Sequence, residues 1–398
     1  MRIEYPHRHE RFGAVRIHEL TQVIELDSGL DGNPGESVVR GRRVHHVPAR
    51  AINAVEKRIA IVVPTRNERR KVIDGVLSGI PHDCTIVLVS ASEREPIDRF
   101  DLECALLEDF CDSTGRRAVA IHQFDPGVGL AADEAGLGDL LDSGTVRAGK
   151  GEAMILAMLI TEAFELDHVG FVDADNYVPG AVHEYVKSFA AGLHLAPSPY
   201  AMVRISWHSK PKVEEGRLVF NRWGRTSQVT NRFLNLLLST YSGFGTEVIK
   251  TGNSGEHGMT MELARRLPFA GGFAIEPYEL VDMFAQFGGA LASPHPEVNR
   301  SLVDVFQVET RNPHFHEDKG QQHIDDMRVQ ALHALYHSPV CPAPVKREIS
   351  DFLEAESLLE PGCTPPEERI YPAIEVVDIE RFASVLGKAE SVRRFGPE

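Results

Sequence analysis

Basic residues are in short supply: 42 Lys and Arg stand against 58 Asp and Glu, so the formal net charge is 42 − 58 = −16 with histidine neutral. Binding nucleic acid means neutralising phosphates with clustered Lys and Arg, and this balance argues against nucleic acid as the main partner. Small anionic ligands are not excluded, because a few basic residues focus a local field against an acidic background. Cysteine is sparse too. Cys84, Cys104, Cys111, Cys341 and Cys363 are odd in number and form no CxxC pair, which fits reduced thiols in a cytosolic protein. Long apolar runs are missing: AMILAMLI, between Glu152 and Glu162, is too short to span a membrane. The start, MRIEYPHRHERFG, lacks the apolar middle of a signal peptide. A soluble, cytoplasmic protein without a membrane partner is expected, and no internal repeat is visible.

What is present suits a folded core. The 398 residues are 42% apolar, enough for one large α/β unit with an accessory part, or for two domains. RIAIVVP (58–64), CTIVLVS (84–90), HVGFVDAD (168–175) and YAMVRISW (200–207) are short, β-branched and nearly all apolar. Such continuous runs predict strands covered on both faces. NERRKVIDGVLSGI, RFDLECALLEDFCD and KGEAMILAMLITEAFEL read as helices between them, so an open, doubly wound, mostly parallel sheet is expected. RWGRTSQVTNRFLNLLLST (222–240), MTMELARRL and QQHIDDMRVQALHALYH predict further helices, and VDVFQVET (303–310) a late strand. The first 57 residues are weakly patterned, with DSGLDGNPGES (27–37) read as a loop. The expected organisation is an N-terminal segment at 1–57, a Rossmann-like region at 58–215, a further region at 216–338 and a C-terminal extension at 339–398.

Chemistry concentrates in a few segments. Asp173-Ala174-Asp175 ends an apolar strand, and in an extended conformation both carboxylates point to one side. Ligands of open α/β sheets bind at that end, and two oxygen ligands there suit Mg²⁺ or Mn²⁺ holding a diphosphate. The plainer alternative is a loop and helix cap before Pro179. VVPTRNE (62–68) ends the first strand and would set Arg66 and Glu68 beside a base or ribose, unless Asn67 merely caps a helix. A strand ending P-x-x-N-E, roughly a hundred residues before one ending D-A-D, is the layout of nucleotide-sugar transferases of the GT-A fold. GTVRAGKGEA (144–153) matches GxxxxGK, but Gly151 replaces the magnesium-binding hydroxyl and no strand leads in, which excludes a P-loop. Lys150 still offers a cation beside helix N-terminal N–H groups, or is a solvated lysine. RNPHFHEDKG (311–320) carries His314 and His316, of which one imidazole could complete a metal site, with Arg311 or Lys319 facing phosphate; a structural histidine is the bland alternative. NRWGRTSQVTNR (221–232) sets Arg222, Arg225, Thr226 and Ser227 around a glycine, good chemistry for phosphate or carboxylate, or a basic solvated helix start. KTGNSGEHGMT (250–260) is a backbone-donor loop with Asn253, Gly255, Glu256 and His257, or a glycine-rich connection capped by Ser254.

Together, HERFGAVRIHEL, IVVPTRNER, VLSGIPH, GKGEAMILA, VGFVDADNYVPGAV, AMVRISW, GEHGMTMELARRLP, EPYELV and VFQVETRNPHFHEDKG resemble the mannosyl-3-phosphoglycerate synthase family of retaining GT-A glycosyltransferases. The resemblance implies an α/β GT-A fold with a helical C-terminal acceptor part. It also implies transfer of mannose from GDP-mannose to 3-phospho-D-glycerate, releasing GDP and making the precursor of the compatible solute mannosylglycerate. On that basis Pro64, Thr65, Arg66, Asn67 and Glu68 would line the guanosine site, with Ser90 nearby and Lys150 on the nucleotide. Asp173 and Ala174 would meet the donor. Asp175 and His316 would bind the divalent metal, Mg²⁺ ahead of Mn²⁺ or Co²⁺. A more distant likeness to glucosyl-3-phosphoglycerate synthases implies Arg225, Thr226 and Ser227 at the acceptor, with Asn253, Gly255 and Glu256 beside them. The same likeness puts Glu276 near the reacting sugar, and Asp173, Glu276 and Lys150 are the expected catalytic residues. A homodimer is the family-level expectation. Three rival readings remain: a glucosyl-3-phosphoglycerate synthase, with glucose or UDP in place of mannose or GDP; a sugar nucleotidyltransferase, which VVPTRNERRK fits poorly for want of a glycine-rich signature; and a non-catalytic nucleotide-sugar binder.

Overall fold

Strand Ile59–Thr65 shows why the apolar runs are continuous. Ile59, Ile61 and Val63 enter one core cluster, while Ala60 and Val62 enter another on the opposite sheet face. Ile86 and Leu88 against Val87 and Val89 in Thr85–Ser90 repeat the division. With both faces covered, no position is left for a polar alternate. Helix Pro179–Leu195 packs on the face of Ile59, Ile61 and Val63, and helix Lys150–Ala163 on the face of Ala60 and Val62. Helix Lys150–Ala163 is the more enclosed of the two. It is buried from Gly151 to Thr161, as an all-round apolar helix must be. The structure is a computed structural model describing residues 1–27, 35–39, 41–176, 178–214, 217–221, 225–315 and 320–397, with the side chains of 35, 36, 210–214, 218–221 and 225 excepted.

Among the described residues the central sheet has 14 strands. From one edge the order is Arg393–Phe395, Ala118–His122, Thr85–Ser90, Ile59–Thr65, His168–Phe171, His257–Thr260, Ala201–Ser206 and Val303–Glu309. It continues through Thr21–Glu25, Arg2–Glu4, Arg42–His46 and Gly35–Val39. The four strands from Ala118–His122 to His168–Phe171 are mutually parallel, as are Ala201–Ser206 and Val303–Glu309. The mostly parallel α/β sheet is therefore present, with a difference at its centre. His257–Thr260 runs antiparallel between His168–Phe171 and Ala201–Ser206. The sequence MTMELARRL predicts helix there. Instead Met259 and Thr260 finish a strand, and Thr260, not Ser254, caps the short helix Met261–Ala264 by accepting from Leu263 N.

Other boundaries also move. Helix Arg70–Gly79 begins after Arg69, so Asn67 is not its cap. The N-terminal segment carries six short strands, including Gly35–Val39 inside the expected loop. The segment after Pro339 packs back on the core. Its Arg393–Phe395 forms the edge strand beside Ala118–His122, and Ile370–Tyr371 pairs with Phe269–Ala270.

Candidate active site

Strand direction collects the site. Ile59–Thr65, Thr85–Ser90 and His168–Phe171 end on one rim, and the antiparallel His257–Thr260 begins there, with His257 opposite Phe171. Ala201–Ser206 and Val303–Glu309 end on the same rim, Arg204 facing His257 and Ser206 facing Glu309. Thr65–Asn67, Ser90–Ser92, Val172–Asp175, Gly255–Glu256 and Thr310–His314 thus meet, as expected of an open α/β sheet. Asp173 and Asp175 lie past the strand, which stops at Phe171, so the extended geometry that would align them is absent.

Asp173 turns to Lys150. Lys150 is the first residue of its helix, and its Nζ lies 2.6 Å from Asp173 Oδ1 and 2.8 Å from Glu276 Oε1. Glu276 comes from the first turn of helix Ile275–Phe287 and is nearly closed to solvent. Burial alone would lower the Lys150 pKa, but the two carboxylates outweigh it and raise the value. The ammonium is a fixed positive charge at any working pH. Glu276 Oε2 is buried without a hydrogen-bond partner, a costly state unless a ligand supplies one. Gly255 closes the cluster: a Cβ there would stand 2.7 Å from Asp173 Oδ2 and 3.0 Å from Lys150 Nζ. Only glycine lets the chain pass so near.

Glu256, expected at the acceptor, has another task. It is wholly buried, with Oε1 accepting from Asn176 Nδ2 at 3.0 Å and Oε2 from Trp207 Nε1 at 2.9 Å. Asn176 Nδ2 also donates to Asp173 O at 2.9 Å. His314 stacks on Trp207, ring centroids 4.6 Å apart, and its Nδ1 is 3.8 Å from Glu256 Oε1. One carboxylate therefore ties the turn that carries Asp175, which is half-buried, to the loop carrying His314. Glu184, almost fully buried, anchors that loop from below by accepting from the backbone N–H groups of Arg311 and Asn312. Arg311 spends its Nη1 on Ile24 O. His316 and Lys319 lie outside the described residues, as does Arg222.

The side expected to take the nucleotide is a set of hydrogen-bonded turns. Asn67 takes a left-handed φ of 59°; its N–H donates to Ser92 Oγ at 2.8 Å and its Oδ1 accepts from Glu93 N at 2.9 Å. Ser92 Oγ donates to Glu103 Oε1 at 2.6 Å. Burial pushes the Glu103 carboxyl up, against the hydrogen bonds from Ser90 and Ser92. Pro64 and Glu68 are half-buried and Arg66 is exposed at the rim, while Thr65, Ser90 and Ala174 are buried beneath it.

The opposite shore is helix Arg225–Ser242. Asn231 and Asn235, four apart and so on one helix face, grip the loop beside it. Asn231 Oδ1 accepts from Gly252 N at 2.7 Å, and Asn235 bonds Ile249 through both N–H and C=O. This docks the helix start, with Thr226 and Ser227 buried, against the loop of Asn253. The side chain of Arg225 lies outside the described set. Asn253 is itself buried, with both Oδ1 and Nδ2 unpartnered, and Thr230 Oγ1 is in the same state.

Residue patterns alone did not single out Asn176, Glu184, Trp207, Glu279 or Arg204. For Arg204 a signal existed, an arginine inside the apolar strand YAMVRISW; for the others the partners lie too far along the chain.

Known proteins supply the last observation. The family profile described as mannosyl-3-phosphoglycerate synthase matches residues 5–386. A mannosyl-3-phosphoglycerate synthase of Pyrococcus furiosus is 42% identical over 399 residues, covering all of both chains. That of Aeropyrum pernix is 35% identical over 390 residues, 98% of each. Among solved structures, glucosyl-3-phosphoglycerate synthase from Mycobacterium tuberculosis, in complex with Mn²⁺, UDP and phosphoglyceric acid, aligns with a TM-score of 0.51. It is 19% identical, and the alignment covers 83% of this chain and 96% of that one, so the glycosyltransferase fold is shared. The chain belongs to the mannosyl-3-phosphoglycerate synthase family.

Proposed function

We propose that the chain is a retaining glycosyltransferase that moves mannose from GDP-mannose to 3-phospho-D-glycerate, giving mannosyl-3-phosphoglycerate and GDP. Beside family membership, the observation carrying this reading is Lys150 held between Asp173 and Glu276 on the sheet rim. A permanent cation at a helix N-terminus suits a departing diphosphate, because it stabilises the charge that builds as the sugar leaves. Asp173 orients that cation and meets the sugar. Glu276 Oε2, unpartnered, is the acceptor for a hydroxyl of sugar or phosphoglycerate.

Pro64, Thr65, Arg66, Asn67 and Glu68 form the guanosine shelf, with Ser90 under it and Ala174 at the donor. Arg225, Thr226 and Ser227 hold the acceptor phosphate, and the unpartnered Asn253 amide faces the glycerate. With both substrates docked, the reacting hydroxyl meets the anomeric carbon without a bimolecular search.

A divalent ion, Mg²⁺ ahead of Mn²⁺ or Co²⁺, would be held by Asp175 and His316 and would add Lewis-acid neutralisation of the diphosphate. Among the described residues no group of three His, Cys, Asp or Glu makes a metal site alone. An open site of one or two protein ligands completed by substrate oxygens matches magnesium's habits, and Glu256 brings the two ligand-bearing segments together.

The test is nucleoside diphosphate release. Purified protein with Mg²⁺ and GDP-mannose should release GDP only when 3-phosphoglycerate is present, one GDP per mannosylated product. Pyrophosphate formed from GTP and mannose 1-phosphate would establish the nucleotidyltransferase instead, and GDP-mannose binding without turnover on any acceptor would establish a binder.

A further inference from the structure

Arg204 is a cation in the middle of a sheet, fully buried, on the face it shares with Met202. An isolated charge there would cost several kcal/mol, so its partners explain its presence. Nη1 pairs with Glu279 Oε2 at 3.0 Å. Nε donates to Thr251 O at 2.9 Å, and Nη2 to Gly252 O at 3.3 Å and Glu276 O at 3.0 Å. The guanidinium therefore joins two segments distant in sequence, the loop 250–256 and the first turn of helix Ile275–Phe287. Glu279 is shared: its other oxygen lies 3.2 Å from His257 Nε2, and His257 Nδ1 lies 2.9 Å from Ser254 O. All three side chains are closed to solvent.

Both joined segments border the reacting cluster. The loop presents Asn253, and Gly255 against Lys150 and Asp173; the helix turn presents Glu276. From this geometry we infer that Arg204 is a positioning residue for transfer, stapling the Thr251–Gly252 carbonyls to that of Glu276 and so fixing the acceptor side of the site relative to Lys150. The inference rests on the transferase reading above. Lysine cannot replace the arginine here, because one ammonium on a single stem does not reach three carbonyls and a carboxylate on two segments. Charge balance alone does not account for the arrangement either, since Glu279 takes only one edge of the fork.

The experiment separates placement from charge balance with three variants. Arg204→Met leaves Glu279 buried without its cation and should lose much thermal stability. Arg204→Met/Glu279→Met removes both charges and should recover most of that loss, while kcat stays on the order of 10–100-fold below wild type. Arg204→Lys should remain folded with a similar kcat deficit, a raised KM for 3-phosphoglycerate and a GDP-mannose KM within about twofold of wild type. Wild-type kcat in the double variant or in Arg204→Lys overturns the inference and leaves the transferase reading standing. Hydrogen exchange is read on the same proteins. In Arg204→Lys, faster exchange confined to 250–256 and 272–280 supports the staple even should wild-type protein show no mannosyl transfer, and unchanged protection there overturns it.

Discussion

The two shores of the rim are built on opposite terms. On the nucleotide side the polar groups bond one another, Asn67 to Ser92 and Glu93, Ser92 to Glu103, leaving Thr65 Oγ1 and Glu103 Oε2 over. Across the cleft, Asn253 has both amide atoms unpartnered, and Thr230 Oγ1 and Glu276 Oε2 join it. On the proposed reading this shelf, most of whose polar groups are already bonded, takes a flat, rigid base by shape and is ready before the ligand arrives. Unpartnered buried groups wait for hydrogen bonds, and a small polyhydroxylated anion such as phosphoglycerate supplies them. On the proposed reading, the side that leaves bonds unmade is the side that selects the acceptor. Lys150 belongs to neither, paired with Asp173 and Glu276 between the two.

Breaking that centre should have the largest effect. Lys150→Met removes the fixed charge and leaves two carboxylates facing each other. A kcat fall of about 10³-fold is expected, measured as GDP release with the fold checked by thermal unfolding. Asp175→Ala should act through the ion, raising the Mg²⁺ concentration needed for half-activity by roughly 10–100-fold. Excess chelator should silence the wild type reversibly. The contrast between the shores is sharpened by a pair of variants. Ser227→Ala should raise the 3-phosphoglycerate KM by about tenfold with the GDP-mannose KM unchanged, and Asn67→Ala should do the reverse. Equal effects of both on both substrates would erase the distinction.

The smallest effect on turnover is expected two turns along the helix that carries Glu276. Burial raises the Asp282 carboxyl from its ordinary 3.8 to about 7, against a hydrogen bond from Gln286. The folded state thus holds that proton more tightly than the unfolded chain, so the carboxyl's contribution is most favourable below about pH 4 and fades as pH rises toward 7. Asp282→Asn should leave kcat unchanged and raise the melting temperature at pH 8, the gain vanishing by pH 4.

Much of this was legible in the sequence, for physical reasons. Ile59–Thr65, Thr85–Ser90 and the helices between them carry patterns set by local burial. His257–Thr260 was hidden because HGMT is four residues long, contains glycine and runs straight into a helix-like MELARRL. The N-terminal strands are short, and pairs such as His9–Phe12 and Arg42–His46 are only partly buried, so their alternation is faint. Lys150 and Asp173 could be named one at a time, but their pairing with Glu276, 126 residues beyond Lys150 as the numbering gives it, is a property of the fold alone. Glu256 looked like a ligand-facing acid because its partners, Asn176 and Trp207, come from other segments. Composition cannot say which carboxylates are already taken.

The most direct test of the central claim is the anomalous scattering of manganese in crystals grown with GDP, Mn²⁺ and 3-phosphoglycerate. A single strong peak beside Asp175 and the segment 311–319 is predicted, on the diphosphate, with Lys150 Nζ within hydrogen-bond distance of a phosphate oxygen. A peak elsewhere, or a nucleotide lying away from Lys150 and Asp173, would contradict the account.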